Sequence, residues 1–153
     1  MTTLALCIPH TPWVPARKDS MARVLEQLNK SAPASGLGIV EHYKLLDERM
    51  PNHEWAAQMR EWFLEETDAE VLVTIQDDVL LSPRFIPIVR AQLTALPDRT
   101  VLGLSAVHHI GREFQRQGHR WYATRSWLVG WAYAMWRQDV VEFDVACKAW
   151  PKR

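Results

Sequence analysis

Val71-Leu72-Val73-Thr74-Ile75 is a short, β-branched run, apolar on both parities, and after Gln76 it stops at two adjacent acids, Asp77 and Asp78. Apolar side chains at successive positions of a strand point to both of its faces, so such a strand belongs inside a parallel sheet covered by helices on each side. The acids then fall at its carboxyl end. In open α/β sheets ligands bind in the crevice beyond the carboxyl ends of the strands, so paired carboxylates there are candidates to hold a metal or a ligand hydroxyl. Oxygen donors of this kind suit a hard cation such as Mn²⁺ or Mg²⁺, which in turn suits a diphosphate. Ser82-Pro83 follows as a helix start, with Ser82 as N-cap and Pro83 at the first helical position.

The rest of the chain alternates in the same sense. Leu4 to Ile8 reads as a first strand that empties, after Pro9, into a polar loop carrying His10, Thr11, Trp13, Arg17 and Lys18. Asp19-Ser20 can cap a helix whose stripe is Met21, Val24, Leu25 and Leu28. A Pro/Gly/Ser linker over 31–38 precedes a second strand over 38–45. Asn52 is the N-cap candidate of a helix running to about Glu66, with Trp55, Met59, Trp62 and Phe63 on one face and both tryptophans read as core. The order strand, helix, strand, helix, strand is that of a doubly wound sheet. A helix over 85–96, a strand over 100–107 and a last helix over 140–150 continue it.

Composition removes several classes. Lysine plus arginine and aspartate plus glutamate are both 18, so net charge makes no case for nucleic-acid or anionic-membrane binding. No run is long enough to span a bilayer, and the N-terminus lacks a basic region followed by an apolar stretch. Cys7 and Cys147 have no metal-type spacing, which suggests reduced thiols in a cytoplasmic protein. His108, His109 and His119 lack a fourth ligand at zinc spacing. At 153 residues the chain is one domain.

The segment from the buried strand through Gln76-Asp77-Asp78-Val79 to Leu80-Leu81-Ser82-Pro83-Arg84-Phe85 resembles the Asp-x-Asp region of GT-A glycosyltransferases, closest to the lipooligosaccharide galactosyltransferase type. There a Glu-Asp-Asp triplet precedes an apolar pair and Ser-Pro-x-Phe; Gln76 replaces the first acid. The resemblance covers about a tenth of the chain. It implies a GT-A-like α/β fold, a mixed but mostly parallel sheet flanked by helices, and transfer of a sugar from a nucleotide-sugar donor to an acceptor hydroxyl. It further implies Asp77 and Asp78 as ligands of Mn²⁺ or Mg²⁺, with His10, Thr11, Arg17, Gln76, Asp77 and Trp131 against the donor. The acceptor class, whether a glycan, another hydroxyl-bearing molecule or a modified nucleic acid, stays open.

Gly130-Trp131-Ala132-Tyr133-Ala134 is similar to the Gly-x-Ala-Tyr segment at the acceptor side of such enzymes, and Arg137-Gln138-Asp139 to the turn before the following helix. Asp139, Asp144 and His109 are unranked candidates for a catalytic base. The polar stretch 108–127, with Arg112, Arg116, Arg120 and Arg125, reads as a lid and acceptor wall. Two other classes share the same motif. A nucleotidyltransferase would need a Gly-rich phosphate loop after the first strand, where this chain has proline, and a non-catalytic nucleotide-binding module would be a degenerate transferase.

Overall fold

The computed structural model describes residues 2–31, 40–95, 101–104, 113, 116–118 and 132–149. Five strands, β1 (Leu4–Pro9), β2 (His42–Leu46), β3 (Val71–Ile75), β4 (Leu102–Gly103) and β5 (Ala132–Trp136), form one sheet in the order β2-β1-β3-β5-β4. The helices are α1 (Pro15–Lys30), α2 (Asn52–Glu66), α3 (Phe85–Ala95) and α4 (Arg137–Ala149).

The pleat divides the apolar residues between two cores. Leu4, Leu6, Ile8, Val71, Val73 and Ile75 face Met21, Val24 and Leu28 of α1 and Phe85, Ile86, Val89 and Leu93 of α3. Ala5, Cys7 and Leu72 face Met59, Trp62 and Phe63 of α2 and Val140 of α4. All five residues of β3 are buried, as its unbroken apolar run requires. The result is a three-layer α/β/α domain. Among the described residues no helix is long and apolar enough to cross a membrane.

The sheet is mixed: of its four strand pairings among the described residues two are parallel and two antiparallel, and β5 is the strand that runs against the other four. β1 pairs in parallel with β2 and β3, while β5 runs antiparallel to both β3 and β4. The reversal has a topological consequence. Val71 lies opposite Trp136 and Ile75 opposite Ala132, so the chain enters β5 at the carboxyl edge of β3 and leaves it at the amino edge.

All four helix starts differ from their sequence reading, α2 by one residue: Pro51 stands at its N-cap and Asn52 is its first helical residue, with no side-chain cap bond. α1 begins at Pro15, ahead of Asp19-Ser20, because proline at the first position needs no N–H partner. α4 begins at Arg137, so Arg137-Gln138-Asp139 is its first turn rather than a turn before it. Ser82 does not cap α3: its hydroxyl donates to the Pro83 carbonyl, and Arg84 takes a left-handed φ of 67° before the helix starts at Phe85.

The cap of α3 comes from α1 instead. Ser31 Oγ accepts from Phe85 N at 3.2 Å while donating to Gln27 O, and Gln27 Oε1 accepts from Leu81 N at 2.9 Å. The last turn of α1 thus holds the segment that follows the two acids. Ser31→Ala should lower stability by about 1 kcal/mol, the usual loss for a helix cap, read as a lower urea midpoint at unchanged slope.

Candidate functional site

The β1→α1→β2 connection passes over one face of the sheet and β2→α2→β3 over the other, so the strand order reverses between β1 and β3. The carboxyl ends of these two strands flank the switch point, where open α/β sheets bind ligands. Five of the sequence-nominated residues meet there: His10 and Thr11 beyond β1, Arg17 in the first turn of α1, and Asp77 and Asp78 beyond β3. The α1 amino end, where Arg17 N donates to Val14 O at 2.9 Å, lies at the same edge.

Asp77 is the hub. The residue is 2 % exposed, and both carboxylate oxygens are taken by protein donors. Oδ2 accepts from His10 Nδ1 at 2.7 Å, Thr11 N at 2.9 Å and Thr11 Oγ1 at 3.3 Å; Oδ1 accepts from Arg17 Nη1 at 2.5 Å. Burial pushes the Asp77 pKa up, but the Thr11 N–H, His10 and Arg17 together outweigh it and hold the carboxyl below its ordinary value. An ionised carboxylate only accepts, so the ring proton of His10 lies on Nδ1. A carboxylate has about four lone-pair sites, and here four donors converge on Asp77.

Asp78 is placed differently. Its side chain is one-third exposed, and its Oδ2 meets the same Arg17 Nη1 at 2.9 Å. Among the described residues Arg17 is its partner, through Oδ2. Two carboxylates thus share one guanidinium. Of the two acids, Asp78 has the ligand capacity for a cation, and Asp77 organises the loop.

The remaining nominated residues stand as follows. Gln76 is exposed beside the cluster. Trp131 lies outside the described residues, as do His109 and the 108–127 stretch apart from 113 and 116–118. Asp139 is in the first turn of α4, at the amino edge of β3, with the length of that strand between it and the acids. That placement removes it as a base acting at the cluster, and the cause is the antiparallel run of β5. Asp144 is committed elsewhere: Arg60 Nε meets its Oδ1 at 3.1 Å and Lys148 Nζ its Oδ2 at 2.7 Å, between α2 and α4. Tyr133 and Met135 pack on the α2 side of the sheet.

One wall of the edge went unread in the sequence. Trp55, expected in the core, is only half-buried; its ring centroid lies 6.2 Å from that of Trp13, tilted by 46°, and its Nε1 donates to Glu48 O. The Arg49 guanidinium sits 5.9 Å from the Trp13 ring centroid. The helical stripe placed Trp55 on the face of Met59, but Met59 joins the core while Trp55, in the first turn of α2, meets Trp13 and the Glu48 carbonyl instead. His10 N donates to Leu46 O at 2.8 Å and so ties this wall to the acid cluster. No family model, curated protein or solved structure matches this chain.

Proposed function

We propose that the chain is a GT-A-like glycosyltransferase that binds a nucleotide-sugar donor with Mn²⁺ or Mg²⁺ and transfers the sugar to an acceptor hydroxyl. The observation that supports this best is the single cluster of His10, Thr11, Arg17, Asp77 and Asp78 at the switch point between β1 and β3. The donor set fits the cation. Asp78 offers carboxylate oxygen at a partly open position, and Mg²⁺-type ions commonly take one or two carboxylates, keep several waters and complete their shell with phosphate oxygens. When bound, the cation would neutralise charge on the diphosphate leaving group.

The chain's own residues do the rest. Asp77 fixes the loop after β1 through His10 and Thr11, Arg17 presents a guanidinium to the phosphates, and Asp78 supplies the oxygen ligand. A charge-assisted bond from Arg17 to a diphosphate is worth roughly 1.5–3 kcal/mol. A cytoplasmic setting suits the two free cysteines, Cys7 buried and Cys147 exposed. A nucleotidyltransferase is disfavoured because the turn after β1, His10-Thr11-Pro12-Trp13-Val14, has no glycine to bring successive backbone N–H groups onto a phosphate.

Calorimetry tests the reading directly. A nucleoside diphosphate should bind about tenfold or more tightly with Mn²⁺ than with EDTA, and Asp78→Asn should abolish that difference. Binding of equal strength in the two buffers would sink the cation. Turnover of a nucleotide-sugar panel then separates a transferase from a binding module.

A further inference from the structure

Arg17 meets both acids through one nitrogen, 2.5 Å from Asp77 Oδ1 and 2.9 Å from Asp78 Oδ2. The two contacts are not equivalent. Asp77 is buried and held by three further donors, so its position does not depend on Arg17. Asp78 is one-third exposed, as is Arg17, and an ion pair between two such groups is weak and exchangeable. A cation on the Asp78 carboxylate and the Arg17 guanidinium share its single negative charge and repel one another at that distance.

We infer that Arg17 is a shared counter-ion: Asp78 takes up part of its guanidinium, and a divalent cation that takes Asp78 releases that part for the phosphates while Asp77 keeps its hold on the same Nη1. This rests on the proposed cation site and adds an order to it, with cation first and diphosphate second. Arg17 and Asp78 then set how strongly anion binding depends on the cation. The cation contributes its own charge and also removes an internal competitor for the guanidinium. Without it, Asp78 both repels the anion and occupies the group that would bind it.

Inorganic pyrophosphate is the probe, titrated calorimetrically into the full chain with EDTA and, separately, with Mn²⁺. Four proteins are compared: wild type, Asp78→Asn, Arg17→Met, and the double variant. In EDTA, Asp78→Asn should tighten pyrophosphate binding, and more so with Arg17 present than in the Arg17→Met background. The difference should be about two- to fivefold, the range of an exposed ion pair. An equal gain in both backgrounds would mean that Asp78 acts only through its field and would overturn the inference, as would no gain in either. In the second buffer, Mn²⁺ should tighten wild type. If it does not, the cation reading fails and the release step with it. The EDTA arms contain no cation, so the two failures are read separately.

Discussion

Arg137→Met is expected to lower the unfolding free energy by about 3–4 kcal/mol, since a charged donor shared among partly buried carbonyls contributes roughly 1.5–3 kcal/mol per strong bond and neighbouring bonds overlap. Arg137 opens α4, yet its side chain closes α2. Its Nε donates to Ala69 O at 2.8 Å, and its Nη2 to Phe63 O at 3.0 Å, Thr67 O at 2.8 Å and Thr67 Oγ1 at 2.9 Å. Phe63 O belongs to the last turn of α2, where carbonyls lack intrahelical partners, and it also accepts from Thr67 Oγ1 at 2.7 Å; Thr67 and Ala69 lie in the connection that follows the helix. The guanidinium carbon also lies 4.4 Å from the centroid of the Phe63 ring, a fully buried side chain of the α2 core. Methionine fills part of the volume and satisfies none of the carbonyls. Lysine keeps the charge but cannot reach around the turn with a planar fork, so Arg137→Lys should recover less than half of the loss. Urea unfolding checks both, and a loss below about 1 kcal/mol for Arg137→Met would show that water replaces the guanidinium there.

Asp77→Asn should abolish nucleotide binding in practice, by about a hundredfold or more, and lower stability at neutral pH by about 2–3 kcal/mol. Both effects have one origin. The amide keeps the shape but replaces one accepting oxygen by a donor, which faces either His10 and Thr11 or Arg17. The loop after β1 then loses its anchor, and Arg17 loses the contact that holds it at the cleft.

The pH dependence identifies the charge as the cause. The Asp77 carboxyl is depressed in the folded protein, so its contribution is fully present above the ordinary aspartate value and is lost as pH falls through the lower folded value. The stability gap between wild type and Asp77→Asn should therefore be constant through neutral pH, narrow once pH drops below the ordinary aspartate range, and close at more acid pH. A gap that persists unchanged on acidification would assign the loss to packing.

Much of this molecule was legible from local pattern. β1, β3 and α2 were read to within a residue or two, because a doubly buried strand and an amphipathic helix announce themselves by period alone. The acids at the end of β3, and His10, Thr11 and Arg17 beyond β1, were placed at one edge by the alternation of strand and helix. Tertiary structure decided what joins residues far apart in sequence. The antiparallel pairing of β5 with β3 carries Asp139 to the edge opposite the acid cluster, and no local pattern encodes the direction of a distant neighbour. Arg137 looked like part of a turn because its partners lie about 70 residues earlier. Ser31 supplies a cap that Ser82 seemed to own. Asp77 and Asp78 are chemically identical neighbours in the sequence. Successive side chains leave the backbone in different directions, and that turned one into a buried, fully donated hub and left the other with an exchangeable arginine.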